Sequence, residues 1–386
     1  MEKKKTQVLS VQNIPSPYRV DFYYYLQNRE TEYDISFLYT AHNEDNRVWT
    51  IDETKLGNTH FLDAKVIKLK KEMDNHYIHL PFSIYRKLNE LCPDVVISWE
   101  YNPAALLCYL WCVLHHKAFV HGTDGTLHSE RNSGKLQRLS RRFIIGHAKT
   151  FLASSTKAKE KLMAWGAEEE RIFISLLTEN LEAYHRIADM ANDREEKEPM
   201  GLLYVGSFIR RKGLDLLLNS LPYVKGNYQL HIVGNGSREE RDKLMQQAQE
   251  LGVQDRIVWK GFLEGEELLR EYHDAAVFVL PTREDCFGLV LLEALGSGTP
   301  IVTSCYADGA YDIVEDGVTG FIVDPENPVE LAEAIDRLIG DPKRLQAAAR
   351  RSIELSEKFD YSVTVKGYDA AIAHAVEVYR ASGDRG

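Results

Sequence analysis

The chain of 386 residues is 44% hydrophobic and carries a formal net charge of −11. It is long enough for two to three domains with buried cores, and too acidic, with no groove-reading motif, for a nucleic-acid binder. Its five cysteines are scattered without a Cys-x-x-Cys pair, which argues against a disulfide framework or structural zinc and suits a reducing cytoplasm.

In chain order the pattern alternates strand and helix, as in doubly wound parallel sheets. Strands are expected at 7–11 and 33–39, and the first is followed by Asn13-Ile14-Pro15-Ser16-Pro17-Tyr18-Arg19. The two prolines stiffen this turn, leaving Arg19 at a helix start. There it can hold a phosphate or carboxylate of a ligand, or make a helix-start salt bridge. A strand at 94–99 ends on Glu100, flanked by Trp99 and Tyr101, which can stack on a sugar ring or pack in the core. The apolar segment 104–114 that follows is shorter than the roughly 20 residues a spanning helix needs. It contains Cys108 and Cys112, which read as small buried apolar side chains. The short run 8–11, followed by prolines, does not read as a secretory signal.

The strand 118–120 runs into His121-Gly122-Thr123-Asp124. A polar cluster at the carboxyl edge of a strand is where open α/β sheets meet ligands, so His121 and Asp124 are site candidates with Glu100. Lys135, Arg138, Arg141 and Arg142 then recur at helical spacing beside Leu136, Leu139, Phe143 and Ile144. This amphipathic helix can rest on anionic lipid headgroups or pack on the sheet with a solvated basic face. Residues 1–190 carry 25 Lys+Arg against 24 Asp+Glu, the remainder 22 against 34, so the N-terminal half is the one suited to meet anions. Strands at 150–153 and 172–175 follow. The polar run 189–198, closed by Pro199, reads as a linker.

Beyond it the alternation restarts: strand 202–205, helix 214–221, strand 229–233, helix 238–251, strand 256–259, and so on to a strand at 321–323 and a final helix at 363–380. Gly206-Ser207-Phe208-Ile209-Arg210-Arg211-Lys212-Gly213 lies between strand and helix, where Lys212 offers a compact charge to a diphosphate and Arg211 a second one. Gly234-Asn235-Gly236-Ser237 is a partial dinucleotide glycine turn lacking the third glycine, and Gly261-Phe262 opens another.

The most informative stretch is 280–300. A strand at 275–280 feeds Asp285, and 287–295 reads as a short helix ended by Gly296. A helix beginning near Phe287 aims the amides of Gly288 and Leu289 at the loop, where a diphosphate would be held. Glu293, about 7–8 Å further on at 1.5 Å per residue, would reach ribose hydroxyls, with Asp285 facing a sugar.

Here the chain resembles retaining glycosyltransferase family 4, whose members have the GT-B fold of two facing Rossmann-like domains. The family signature is Glu, seven residues, Glu. Asp285 and Glu293 occupy those positions, with Phe287-Gly288-Leu289 matching the intervening motif and the first acid shortened. The family's Gly-Arg, several residues, Lys-Gly is matched by Lys212, with Ser207 at the Arg position.

The resemblance implies an acceptor-binding domain at 1–190, onto which a terminal helix at about 363–386 crosses back, and a nucleotide-sugar domain at 191–362. It implies that Gly234 and Phe262 line the nucleotide and that His121 contacts the donor sugar near the reacting centre; in the acceptor domain Arg19, Glu100 and Asp124, at a helix start and at strand ends, are the candidates to meet the acceptor. The chain contains no Asp-x-Asp triplet, the usual metal holder of cation-dependent glycosyltransferases, so no cofactor or metal is expected. The function implied is metal-independent, retaining transfer of a hexosyl-type unit from a UDP- or GDP-sugar to a hydroxyl acceptor in polysaccharide or glycolipid assembly. The enzyme would be cytoplasmic, with an anionic membrane surface as a further candidate partner. The alternatives are a sugar-nucleotide epimerase of the same fold and a non-catalytic sugar-nucleotide-binding protein.

Overall fold

A computed structural model describes residues 4–44, 50–69, 76–190 and 199–383. The chain divides into two compact units, Met1–Asn180 with Tyr361–Gly386, and Leu181–Asp360. The expected linker 189–198 lies mostly outside the described residues.

The first unit contains β1 (Thr6–Gln12), β2 (Tyr33–Tyr39), β3 (Thr59–Phe61), the antiparallel hairpin of β4 (Lys65–Leu69) and β5 (His76–Leu80), β6 (Val95–Trp99), β7 (Ala118–Thr123), β8 (Phe151–Ala153) and β9 (Ile172–Ile174). Its seven-stranded sheet runs in the order β3-β2-β1-β6-β7-β8-β9 and is parallel throughout. Every residue of β6 and of β7 is buried. Such continuous burial is what a strand covered by helices on both faces requires. The order of connection reverses between β1 and β6, which makes their carboxyl ends the switch point of this sheet. The polar alternation in the hairpin carried no clear strand signal, and β3 was equally unforeseen; at three residues it is too short for a period to register.

The helix Tyr361–Gly383 belongs to this unit and packs against β6 to β9. Val365, Tyr368, Ala371, Ile372 and Ala375 present one stripe to a core shared with Phe22, Tyr23 and Leu26. Burying each of the larger side chains contributes about 1.5–3 kcal/mol. Gly367 makes the fit possible, because a Cβ there would lie 1.8 Å from the carbonyl oxygen of Ile174.

The second unit holds β10 (Met200–Val205), β11 (Tyr228–Val233), β12 (Ile257–Gly261), β13 (Val277–Leu280), β14 (Ile301–Ser304) and β15 (Gly320–Val323). They form a parallel sheet in the order β12-β11-β10-β13-β14-β15. The switch point falls between β10 and β13, the two strands whose outgoing loops carry Lys212 and Asp285. Two doubly wound α/β units are the fold class the alternating pattern foretold. No helix among the described residues is long and apolar enough to cross a membrane.

Candidate active site

In the second unit, β10 delivers the chain to Gly206–Gly213, where Arg210–Lys212 forms a single 3-10 turn. Gly213 closes it at φ +71°, and a Cβ there would lie 1.9 Å from the carbonyl oxygen of Pro281. Gly234, at φ +139°, likewise leaves no room for a Cβ beside the carbonyl oxygen of Gly206. Glycine is thus demanded at both positions by backbone running against backbone. These contacts bring the loops after β10, β11 and β13 together at one edge of the sheet.

Asp285 is turned onto the basic turn. Its Oδ2 lies 2.6 Å from Lys212 Nζ and 3.8 Å from Arg211 Nη1, and its Oδ1 accepts from the amide of Phe287 at 3.3 Å. Burial alone would raise the Asp285 carboxyl. The charges of Lys212 and Arg211 and these hydrogen bonds outweigh it and hold the group below the ordinary carboxylate range. The backbone of Asp285 is pinned as well, accepting from Asp308 N at 2.9 Å and donating to the Tyr306 carbonyl at 3.0 Å.

The helix after this loop spans Leu289–Gly296, starting two residues later than the sequence suggested, because Gly288 sits at φ +80° outside the helical region. Among the described residues, the amides of Gly288 and Leu289 donate to no protein acceptor. This is the open end of a helix dipole. Glu293 lies one turn along, and its Oε2 accepts from Tyr272 Oη at 2.7 Å. Burial raises the Glu293 carboxyl against hydrogen bonds from Tyr272 and Tyr184 and the charge of Lys212.

Of three further candidates in this unit, Phe287 and Ser207 take other places than expected. The Phe287 ring is 3% exposed and packs edge-on to Phe359, so it is a strut of the loop that can offer a ligand only its backbone. The carbonyl of Ser207 accepts from Tyr204 Oη at 3.2 Å, and its short side chain does not replace an arginine. Phe262 is 57% exposed beyond Gly261, free to meet a flat ligand.

In the first unit, His121, Glu100, Asp124 and Arg19 gather at the carboxyl edge beside the switch point. Arg19 is not available to an acceptor phosphate. It is buried, ion-paired with Asp124, hydrogen-bonded to Tyr23 Oη at 3.2 Å and laid over the Trp99 ring at 4.5 Å. Burial of a guanidinium requires such a partner, and the helix-start salt bridge is the arrangement the chain adopts. Trp99 is correspondingly a buried support for the arginine.

His121 is fully buried, with its ring 4.5 Å from that of Tyr101, and among the described residues neither ring nitrogen has a partner. Burial, aided by Lys161, lowers its pKa to about 3 and keeps the imidazole neutral. Glu100 occupies a left-handed conformation at φ +63° and accepts from the amide of Asp124 at 2.7 Å. Burial raises its pKa to about 7 against the charge of Lys161, with Glu130 and Asp124 adding to the rise.

Sequence reasoning missed the ions that hold this corner together. Lys161, with no exposed surface, donates to Thr123 Oγ1 at 2.7 Å and pairs with Glu130 at 3.3 Å. Arg141 pairs with Glu130 at 2.9 Å. Arg141 therefore faces inward and is not part of a free basic stripe. On the same helix, Lys135, Arg138 and Arg142 remain exposed, as do Leu136 at 80% and Leu139 at 64%. The available signal was Lys161 itself, a charge on the apolar stripe formed by Ala158 and Leu162.

A basic turn and an open helix end at the switch point of a doubly wound sheet, in a chain with two such sheets, define a protein of the GT-B class. The chain belongs to the family described as glycosyl transferases group 1, whose model matches residues 157–354. It is similar to an uncharacterized glycosyltransferase, MJ1607, of Methanocaldococcus jannaschii, with 35% identity over 140 residues, 36% of each chain. It is also similar to the D-inositol 3-phosphate glycosyltransferase of Acidothermus cellulolyticus, with 31% identity over 251 residues. That match takes in 58% of this chain and 54% of the relative, so the chain spans about a third to a half of the length of these two relatives.

Among solved structures, the apo lipopolysaccharide outer core galactosyltransferase WaaB aligns with a TM-score of 0.74 at 18% identity, over 95% of this chain and 99% of that one. Anabaena Alr3699/HepE in complex with UDP aligns with a TM-score of 0.75 at 17% identity, over 95% and 100%. At such identities the likeness is one of fold.

Proposed function

We propose that this protein is a retaining, metal-independent glycosyltransferase of family 4 type that moves a hexosyl unit from a UDP- or GDP-sugar to a hydroxyl acceptor in polysaccharide or glycolipid assembly. The observation that carries the reading is the placement of Lys212 and Arg211 beside the open helix start at Gly288 and Leu289, with Glu293 one turn beyond. A departing nucleoside diphosphate is a dianion, and fixed cations with unpaired amides stabilise charge that grows on its bridging oxygen. In this reading Glu293, one helical turn beyond the open amides, accepts from the ribose hydroxyls. UDP is the preferred donor nucleotide, supported by the UDP complex of HepE.

In this reading the departing phosphate takes the acceptor's proton on the same face of the sugar, which retains configuration. His121, neutral and with ring nitrogens unsatisfied among the described residues, serves a sugar hydroxyl, and Glu100 with Asp124 serves the acceptor. Lys135, Arg138 and Arg142, interleaved with Leu136 and Leu139, supply a face for an anionic membrane carrying a lipid-linked acceptor.

The test is a screen of UDP-, GDP- and ADP-sugars for thermal stabilisation, followed by nucleoside diphosphate release with candidate acceptors, with and without chelator. Lys212→Ala and Glu293→Ala should each weaken donor use by about tenfold or more, the size of losing one charge-assisted contact. Unchanged kinetics in either variant removes that residue from the site, and activity abolished by chelator overturns the metal-free chemistry. Replacing Arg138 and Arg142 by Gln, with no loss of binding to phosphatidylserine vesicles, overturns the membrane face.

A further inference from the structure

The cationic turn is held in place by a residue of the 280–300 stretch to which the sequence assigns no role. Arg283, between β13 and Asp285, has a side chain 12% exposed. Its guanidinium grips Asp215, in the first turn of the helix Leu214–Ser220, with both terminal nitrogens at 2.8 and 2.7 Å. Nη1 also donates to the carbonyl of Arg210 at 2.8 Å, and Nε donates to Glu326 Oε1 at 3.0 Å. The main chain repeats the connection: Arg283 N donates to the Arg211 carbonyl at 2.8 Å, and Thr282 Oγ1 donates to the same oxygen at 2.8 Å. In return, Arg211 Nη1 donates to the carbonyl of Glu284 at 3.0 Å.

We infer that Arg283 is a positioning residue that clamps the Arg210–Lys212 turn to the Asp285 loop and so sets where Lys212 meets the donor diphosphate, an inference that rests on the proposed role of Lys212. The chemistry favours arginine here. A planar fork can satisfy a carboxylate with two parallel hydrogen bonds while a third nitrogen serves another partner, and a lysine ammonium cannot span the same partners. The three acceptors lie on three separate segments: the turn after β10, the helix that follows it, and the loop after β15. Removing the guanidinium unties these three segments from one another and leaves the turn held by the bonds to and from Arg211 and by the Lys212–Asp285 pair, with Lys212 and Asp285 chemically unchanged. The loss falls on donor binding, because a clamp that touches no reacting atom affects the reaction through the placement of Lys212.

The experiment is a double-mutant cycle on the full-length protein, with UDP affinity by calorimetry and KM and kcat for the donor, comparing wild type, Arg283→Ala, Lys212→Ala and the double variant. Arg283→Ala should raise the UDP Kd and donor KM by about tenfold, with kcat at saturating donor within about threefold. In the Lys212→Ala background the same change should alter the Kd by less than about threefold, because the residue it positions is gone. Arg283→Lys keeps the charge and loses the fork; it should weaken UDP by about three- to tenfold, and it carries the cycle if Arg283→Ala fails to fold. A full tenfold effect that persists in the Lys212→Ala background, or UDP affinity unchanged in the arginine variants while Lys212→Ala is impaired, overturns the clamp alone. UDP affinity unchanged in Lys212→Ala overturns the reading of the site and the clamp with it.

Discussion

Asp285→Asn removes the carboxylate that faces Lys212 and Arg211, and two opposite consequences can be worked out. Lys212 and Asp285 are 17% and 13% exposed at 2.6 Å, so the variant leaves a mostly desolvated ammonium without its partner. Breaking a fully buried pair costs about 3–5 kcal/mol; with this residual exposure, about 1–3 kcal/mol is expected. For a unit of this size, each kcal/mol moves the melting midpoint by about 2–4 °C, so the midpoint should fall by roughly 2–12 °C.

Diphosphate binding should move the other way. A phosphate oxygen on Lys212 would sit about 5 Å from the Asp285 carboxylate, a like-charge repulsion of about 3 kcal/mol at an effective dielectric of 20. Discounting for water and salt leaves about 1–2 kcal/mol, or UDP binding tighter by about 5- to 30-fold. Calorimetry of UDP binding at two salt concentrations reads the gain, and Asp285→Glu, which keeps the charge, should not show it. A folded Asp285→Asn protein that binds UDP no more tightly than wild type refutes the reasoning.

Gly309→Ala should damage the site from behind, since an added Cβ would meet the Phe287 carbonyl oxygen at 2.2 Å and its Cα at 2.6 Å. A loss of about 1–3 kcal/mol and weaker UDP binding are expected by melting and calorimetry. Gly146→Ala, in a helix with nothing within 4 Å, should be neutral or stabilising by up to about 1 kcal/mol. Glu100 gives a signed pH dependence. Its pKa is raised from 4.5 to about 7 on folding, so its contribution to stability is fully present below pH 4.5 and lost as pH rises through 7. The midpoint of wild type relative to Glu100→Gln should therefore fall between pH 5 and 8, whereas the depressed His121 weakens the fold only as pH drops below its ordinary value and does so equally in both proteins. Parallel curves for the two proteins would show that Glu100 does not titrate as its surroundings require.

Much of the architecture was legible because a parallel sheet writes its strands as apolar runs. The strand at 33–39 was read to the residue, and those near 95–99, 118–123 and 229–233 to within three. That Lys212 and Asp285 each follow the carboxyl end of a strand was legible in the same pattern, but that the two strands are neighbours was not. Nor was their pairing, since strand order is a three-dimensional fact. The helix at 287–295 was placed early because apolar periodicity outvoted Gly288, whose positive φ ends the loop. Arg19 and Asp124 stand 105 residues apart, and no local pattern announces that one neutralises the other. Arg283 was invisible for a related reason: its partners come from three separate segments, and an arginine in a loop has no period to betray it.

The helix Tyr361–Gly383 completes the hydrophobic interior of a unit whose other strands all precede Asn180. On a translating ribosome the intervening 180 residues, 181–360, take about 10–40 s to emerge at 5–20 residues per second. Throughout that interval Phe22, Tyr23 and Leu26 wait without their last covering element, while the later unit can already fold to completion. Maturation of the nascent chain thus finishes at its start, and the waiting apolar surface is where chaperone capture or misassembly would concentrate.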